Sequence, residues 1–94
     1  MIVNYYSLNY ASAATNAQTQ LLNKVQDSAA KPFNVRIADG YGELQAAAAH
    51  SGASGDTCKA GLLTRLSTGS CGIHPSYAGQ ALLAQAVEKA IKLG

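Results

Sequence analysis

Gly72-Ile73-His74-Pro75-Ser76-Tyr77-Ala78-Gly79 sets a histidine and a proline directly before an amphipathic run that continues to the C-terminus. Proline fixes its own φ and keeps the preceding residue out of the α region, so His74 is expected on a stiff, extended connector. Ser76 is placed to cap the free N–H groups of the helix that follows. The spacing predicts that helix over residues 76–93, with Leu83, Ala86, Val87, Ala90 and Ile91 on its inner face and Glu88 paired with Lys92 at i,i+4. A histidine held in a set direction, with a titration range near neutrality, suits general-base chemistry. Taken without further context, the same residue reads first as one that packs or caps at the helix entrance.

Working back from this stretch, Ser67 to Gly72 is turn-rich, and Leu62, Leu63 and Leu66 need burial without showing a clear period. Ser51 to Asp56 is a glycine–serine loop, and Tyr41 to His50 reads as an alanine-rich helix. Phe33 to Ala38 alternates apolar and polar residues and is expected to be a strand, with Asp39-Gly40 turning the chain after it. Residues 13–30 carry a helical pattern in which Ala14, Ala17, Leu21, Val25 and Ala29 share a face, with Leu22 beside them; Pro32 ends it. Ile2 to Tyr6 is a short β-type run. The order is therefore β-α-β-α-loop-α, and the first crossover is long enough for a parallel βαβ unit. Two parallel strands leave sheet edges and faces open. Either the remaining chain adds further strand-like pieces, or a second chain completes the sheet, with Ile2 to Tyr6 as the expected shared edge of a homo-oligomer.

The run from Cys71 to Gly79, followed by Leu82-Leu83-Ala84, resembles the last conserved block of the SGNH (GDSL-type) esterases and lipases. That block reads Asp-x-x-His-Pro, then a glycine and a small apolar helix. Met1 to Tyr6 is similar to a late core strand of such enzymes, and Val35 to Asp39 to the next one. The resemblance covers essentially the whole chain but only the C-terminal half of the family's fold. It implies an α/β architecture of the flavodoxin-like, three-layer kind, a short parallel sheet flanked by helices. It also implies hydrolysis of carboxylic esters through a serine acyl-enzyme, with His74 as the catalytic base and a small ester or lipid as substrate. It brings no cofactor. Such enzymes are commonly secreted, and Met1 falls where they are in mid-domain, so a fragment or an internal start is expected.

The match is incomplete in two places. The family's Gly-Asp-Ser nucleophile segment and its oxyanion motifs are absent, and the position three residues before His74 is Cys71 rather than aspartate. A backbone carbonyl near Gly69 to Cys71 is an alternative holder of the imidazole. Asp39 and Asp56 are other candidates for that task, although Asp39 also suits the strand-to-helix turn. For the nucleophile, Ser7 ends the first strand, where α/β sites cluster. Ser67, Ser70 and Ser76 are near in sequence, and Cys71 could serve as a thiolate. The glycine-rich loop between Cys58 and Cys71, in a family of secreted proteins, implies a bridge between these two cysteines. It would close a loop of about 14 residues, worth roughly 3 kcal/mol. Two free cysteines are the alternative.

Ninety-four residues allow one small domain, marginal without extra support. The net charge of +2 is spread over scattered basic residues, which gives no stripe for a nucleic-acid backbone. No apolar run reaches membrane-spanning length, and the N-terminus lacks the pattern of a signal peptide. His50 suits the C-terminal end of its helix, and together with His74 it offers too few ligands for a metal.

Overall fold

The computed structural model describes residues 1–50 and 52–93. It is a mixed α/β arrangement of three helices and two small sheets. β1 (Ile2–Val3) and β2 (Ile37–Ala38) pair in parallel, Ile2 opposite Ile37 and Val3 opposite Ala38. α1 (Ala13–Ala30) is the crossover between them. α2 (Gly40–His50) follows β2 directly. β3 (Leu63–Arg65) and β4 (Cys71–Pro75) then form an antiparallel hairpin with an irregular register, and α3 (Tyr77–Leu93) closes the chain.

The parallel pair is shorter than the sequence pattern suggests. Lys31–Phe33 turns as a short 3₁₀ segment, with Asn34 in the left-handed region at φ 55°, so Phe33 falls outside the strand and is exposed. The hairpin is the larger departure. Of the segment read as a turn-rich approach to His74, residues 67–70 do form the turn, but Cys71 and Gly72 begin β4, because Pro75 holds its neighbour extended and Leu63 supplies a strand opposite. The preceding loop also supplies core residues: Ala53, Thr57 and Leu62 are buried, as is Leu63 of β3. Ser51, where that loop was expected to start, lies outside the described residues.

Local signals set the helix ends. The Ser12 hydroxyl accepts from Thr15 N–H at 3.2 Å, and the Ser76 hydroxyl accepts from Gly79 N–H at 3.2 Å. Asp39 caps α2, its Oδ1 accepting from Gly42 N–H at 2.9 Å. Two glycines allow the packing. A Cβ at Gly40 would stand 2.8 Å from Asn4 O and from Leu83 Cδ2. One at Gly79 would stand 2.3 Å from Leu62 O, so α3 starts directly against the loop that leads into β3.

The core lies between α2, α3 and the segment before the hairpin. Leu44, Ala48 and Leu62 form its centre, with Tyr6, Tyr10, Leu82 and Leu83 packed around them. Ala86 of α3 is buried, whereas Ile91, expected on the same face, is exposed. Glu88 and Lys92 pair at 2.8 Å as the spacing suggests.

α1 reverses the expected orientation. Its inner side is polar: Asn16, Thr19, Asn23 and Gln26 are partly or fully buried, while Leu21, Leu22 and Val25 are exposed. The Asn23 amide explains this arrangement. Its Oδ1 accepts from Tyr5 N–H at 2.7 Å, and its Nδ2 donates to Tyr5 O at 2.9 Å. One side chain thus satisfies both backbone groups of Tyr5, as a neighbouring strand would. Asn16 Nδ2 adds a bond to Tyr10 O at 2.7 Å.

Tyr10 donates to Tyr41 O at 2.7 Å, and the two rings meet edge-on with centroids 5.1 Å apart. Burial raises the Tyr10 pKa well above its ordinary value against an opposing backbone hydrogen bond at Ser7, and the charges of Tyr41, Asp39 and Tyr6 add to the rise. A folded-state pKa above the unfolded value gives stability that is complete below about pH 10 and is lost as pH rises beyond it. The urea midpoint is therefore expected to fall above about pH 10, and less steeply in Tyr10→Phe. Equal alkaline slopes in the two proteins would remove Tyr10 from the effect.

Candidate functional site

The backbone around His74 is held on several sides. Tyr6 Oη donates to Ile73 O at 2.7 Å, and Thr64 Oγ1 donates to His74 O at 3.2 Å. Ser76 N–H donates to Leu62 O at 2.9 Å, and the Ser76 hydroxyl donates to Gly61 O at 2.6 Å. At the start of β4, Cys71 is bridged to Cys58, with the two Cα atoms 5.9 Å apart. The bridge implied by the family resemblance is therefore present, and Cys71 is not a free thiol.

The His74 side chain is exposed on this fixed strand. Among the described residues, no side chain or carbonyl is hydrogen-bonded to its imidazole. The carboxylates considered for orienting it are engaged elsewhere. Asp39 Oδ1 accepts from Gly42 N–H and from Asn4 Nδ2, and Asp56 Oδ1 accepts from the N–H groups of Cys58 and Lys59. The carbonyls of Gly69 and Ser70 accept from Arg65 and from Leu66 N–H respectively.

None of the candidate serines is paired with the imidazole. Ser7 is fully buried, with its hydroxyl accepting from Asn9 N–H at 3.3 Å. Ser76 is the α3 cap, and Ser70 shares a hydrogen bond with Thr68 at 2.9 Å. Ser67 is exposed. His50 closes the last turn of α2. Among the described residues, no three His, Cys, Asp or Glu side chains converge as metal ligands, and no helix is long and apolar enough to cross a membrane.

Both neighbours of His74 line concave surfaces. Ile73 borders a largely apolar cavity of about 220 Å³, together with Tyr5, Tyr6, Leu8, Thr19 and Leu22. Pro75 borders an open groove of about 430 Å³ with Thr64, Arg65, Ser76, Tyr77 and Gln80. Successive strand residues point to opposite faces, so Ile73 and His74 are directed to different sides of β4. A third cleft, of about 280 Å³, lies beyond the C-terminal ends of the parallel strands, between Asn4, Asp39, Tyr41 and the polar side of α1.

The sequence reading did not single out Tyr5, Tyr6, Leu8 and Leu22 as site residues. The adjacent tyrosines at the end of a strand were the available signal, but the cavity exists only because the hairpin folds back onto that end. Comparison with family models, with characterised proteins and with solved structures found no match to this chain.

Proposed function

We propose that this chain is the C-terminal part of an SGNH-type, three-layer hydrolase fold, and that its lineage chemistry is hydrolysis of carboxylic esters with His74 as general base. The observation that carries the reading is the disposition of His74. Its imidazole is exposed and, among the described residues, free of competing hydrogen bonds. It stands on a strand fixed by Tyr6, Thr64 and a disulfide, directly before a serine-capped helix. The parallel β1-α1-β2 unit precedes it in the order the resemblance requires.

In that chemistry the imidazole takes the proton from a serine hydroxyl as its oxygen bonds to the ester carbonyl carbon. It then returns the proton to the departing alcohol. Water, deprotonated by the same imidazole, cleaves the acyl-enzyme and releases the acid. The motifs that supply the nucleophile and the oxyanion donors in that family do not occur in this sequence, and complementation by a separate N-terminal half is one alternative. The other alternative is a non-catalytic assembly module, favoured by the outward apolar side of α1.

Any turnover of short p-nitrophenyl esters by this chain depends, in this reading, on His74, and is expected to fall to the uncatalysed background in His74→Ala. Circular dichroism should be unchanged, because the side chain is exposed. Equal turnover in both proteins would remove His74 from the mechanism. Absence of turnover in the wild type would leave the assembly reading.

A further inference from the structure

We propose that the polar cleft beyond the C-terminal ends of β1 and β2 binds a small, neutral, polyhydroxylated molecule, a sugar or polyol of monosaccharide size. The cleft has a volume of about 280 Å³. That lies just below the range of drug-sized ligand sites, which sets the size of the occupant. The carboxyl ends of parallel strands are where ligands of α/β proteins collect. None of the lining residues borders either concave surface beside His74, so the proposal stands whether or not His74 is catalytic.

Gln20, Asn23, Lys24 and Asp27 recur at i, i+3, i+4 and i+7, and so share one side of α1. Opposite them stand Asn4, Asp39 and Tyr41, from the ends of the two strands and the start of α2. The floor is fixed before any ligand arrives. Asn4 Nδ2 donates to Asp39 Oδ1 at 3.3 Å, and Asn4 Oδ1 accepts from Tyr41 N–H at 2.8 Å. Asn23 is only 8% exposed and is held on the Tyr5 backbone. A floor ordered in advance lowers the cost of binding.

What these side chains leave unused decides the ligand. Among the described residues, the second Nδ2 hydrogen of Asn23 and the Lys24 ammonium have no acceptor. The Tyr41 hydroxyl accepts from Gln20 Nε2 at 3.3 Å and keeps its own hydrogen free. Gln20 Oε1, the Asp27 carboxylate and Asp39 Oδ2 are acceptors without a donor. Donors and acceptors are thus interleaved around one cleft, and a hydroxyl group is the ligand chemistry that serves both. Two carboxylates against one ammonium disfavour an anion. Among the described residues, no third acidic, histidine or cysteine side chain joins the two carboxylates to hold a metal.

Titration of the isotope-labelled protein with D-glucose and, separately, with myo-inositol tests the proposal through amide chemical shifts. At least one of the two is expected to give saturable shifts of the Asn23 side-chain amide and of the Tyr41 and Gly42 backbone amides, with a Kd of about 1–10 mM. Lys24→Ala and Asp27→Ala should each raise that Kd about tenfold. Both side chains are exposed, so an unchanged melting temperature is expected for each variant. Tyr41→Phe, which deletes one hydroxyl, should weaken binding as well. No saturable shift with either polyol up to about 200 mM would overturn the proposal. So would binding indifferent to all three substitutions, or saturation of the cleft by inorganic phosphate or glycine in place of the polyols.

Discussion

Leu44→Ala is expected to lower the free energy of unfolding by about 3–5 kcal/mol, toward the upper end of what removal of a buried leucine costs. Leu44 is fully buried at the centre of the core, and its neighbours limit how far the site can collapse. Ala48 and Leu62 are buried beside it, and Tyr6 and Tyr10 are held by hydrogen bonds to Ile73 O and Tyr41 O. Many of the other buried residues are alanines, so few large side chains share the task. A domain of this length has a total stability of about 5–14 kcal/mol. The substitution therefore removes a large share of it, and a partly unfolded population at room temperature is a consistent outcome. Urea unfolding followed by circular dichroism measures the loss. Leu44→Met, which keeps the volume, should cost less than about 1.5 kcal/mol. A loss below about 1 kcal/mol for the alanine variant would contradict the assignment of Leu44 to the core centre.

Reduction of the Cys58–Cys71 bridge, or its removal by a double serine substitution, is expected to cost about 3 kcal/mol. The two cysteines are 13 residues apart in sequence and enclose β3 and the hairpin turn. Without the bridge the unfolded chain regains the freedom of that loop. The native hairpin would retain the Thr64 bond to His74 O and the Ser76 bond to Leu62 O. Helix content should therefore change little, while the urea midpoint falls. Thiol titration of the oxidised, unfolded protein should find no free cysteine. Equal midpoints with and without reductant would show that the loop is already ordered by its other contacts. Because Cys71 begins the strand that bears His74, the same experiment reports on how firmly that strand is held.

Features that depend on near neighbours in the chain are legible in the amino-acid sequence itself. The extents of α1, α2 and α3, the serine cap at Ser76, the turn role of Asp39 and the Glu88–Lys92 pair all follow from contacts three or four residues apart. The parallel relation of β1 and β2 follows from the length of the helix between them. The extended conformation of His74 follows from Pro75.

Tertiary structure alone decided the rest. Periodicity identified the apolar stripe of α1 but could not say which side faces inward. That choice depends on Asn23 meeting both backbone groups of Tyr5, eighteen residues away, and no residue near Asn23 in sequence signals such a contact. The hairpin was hidden for a similar reason. Leu63 is a strand residue because it lies opposite Pro75, and β pairing is a property of two segments rather than of either one. The surroundings of His74 belong to the same class. The sequence placed the imidazole on a stiff segment. The engagement of Asp39 and Asp56 elsewhere, and the apolar cavity beside Ile73, arise from how the hairpin packs against the end of β1.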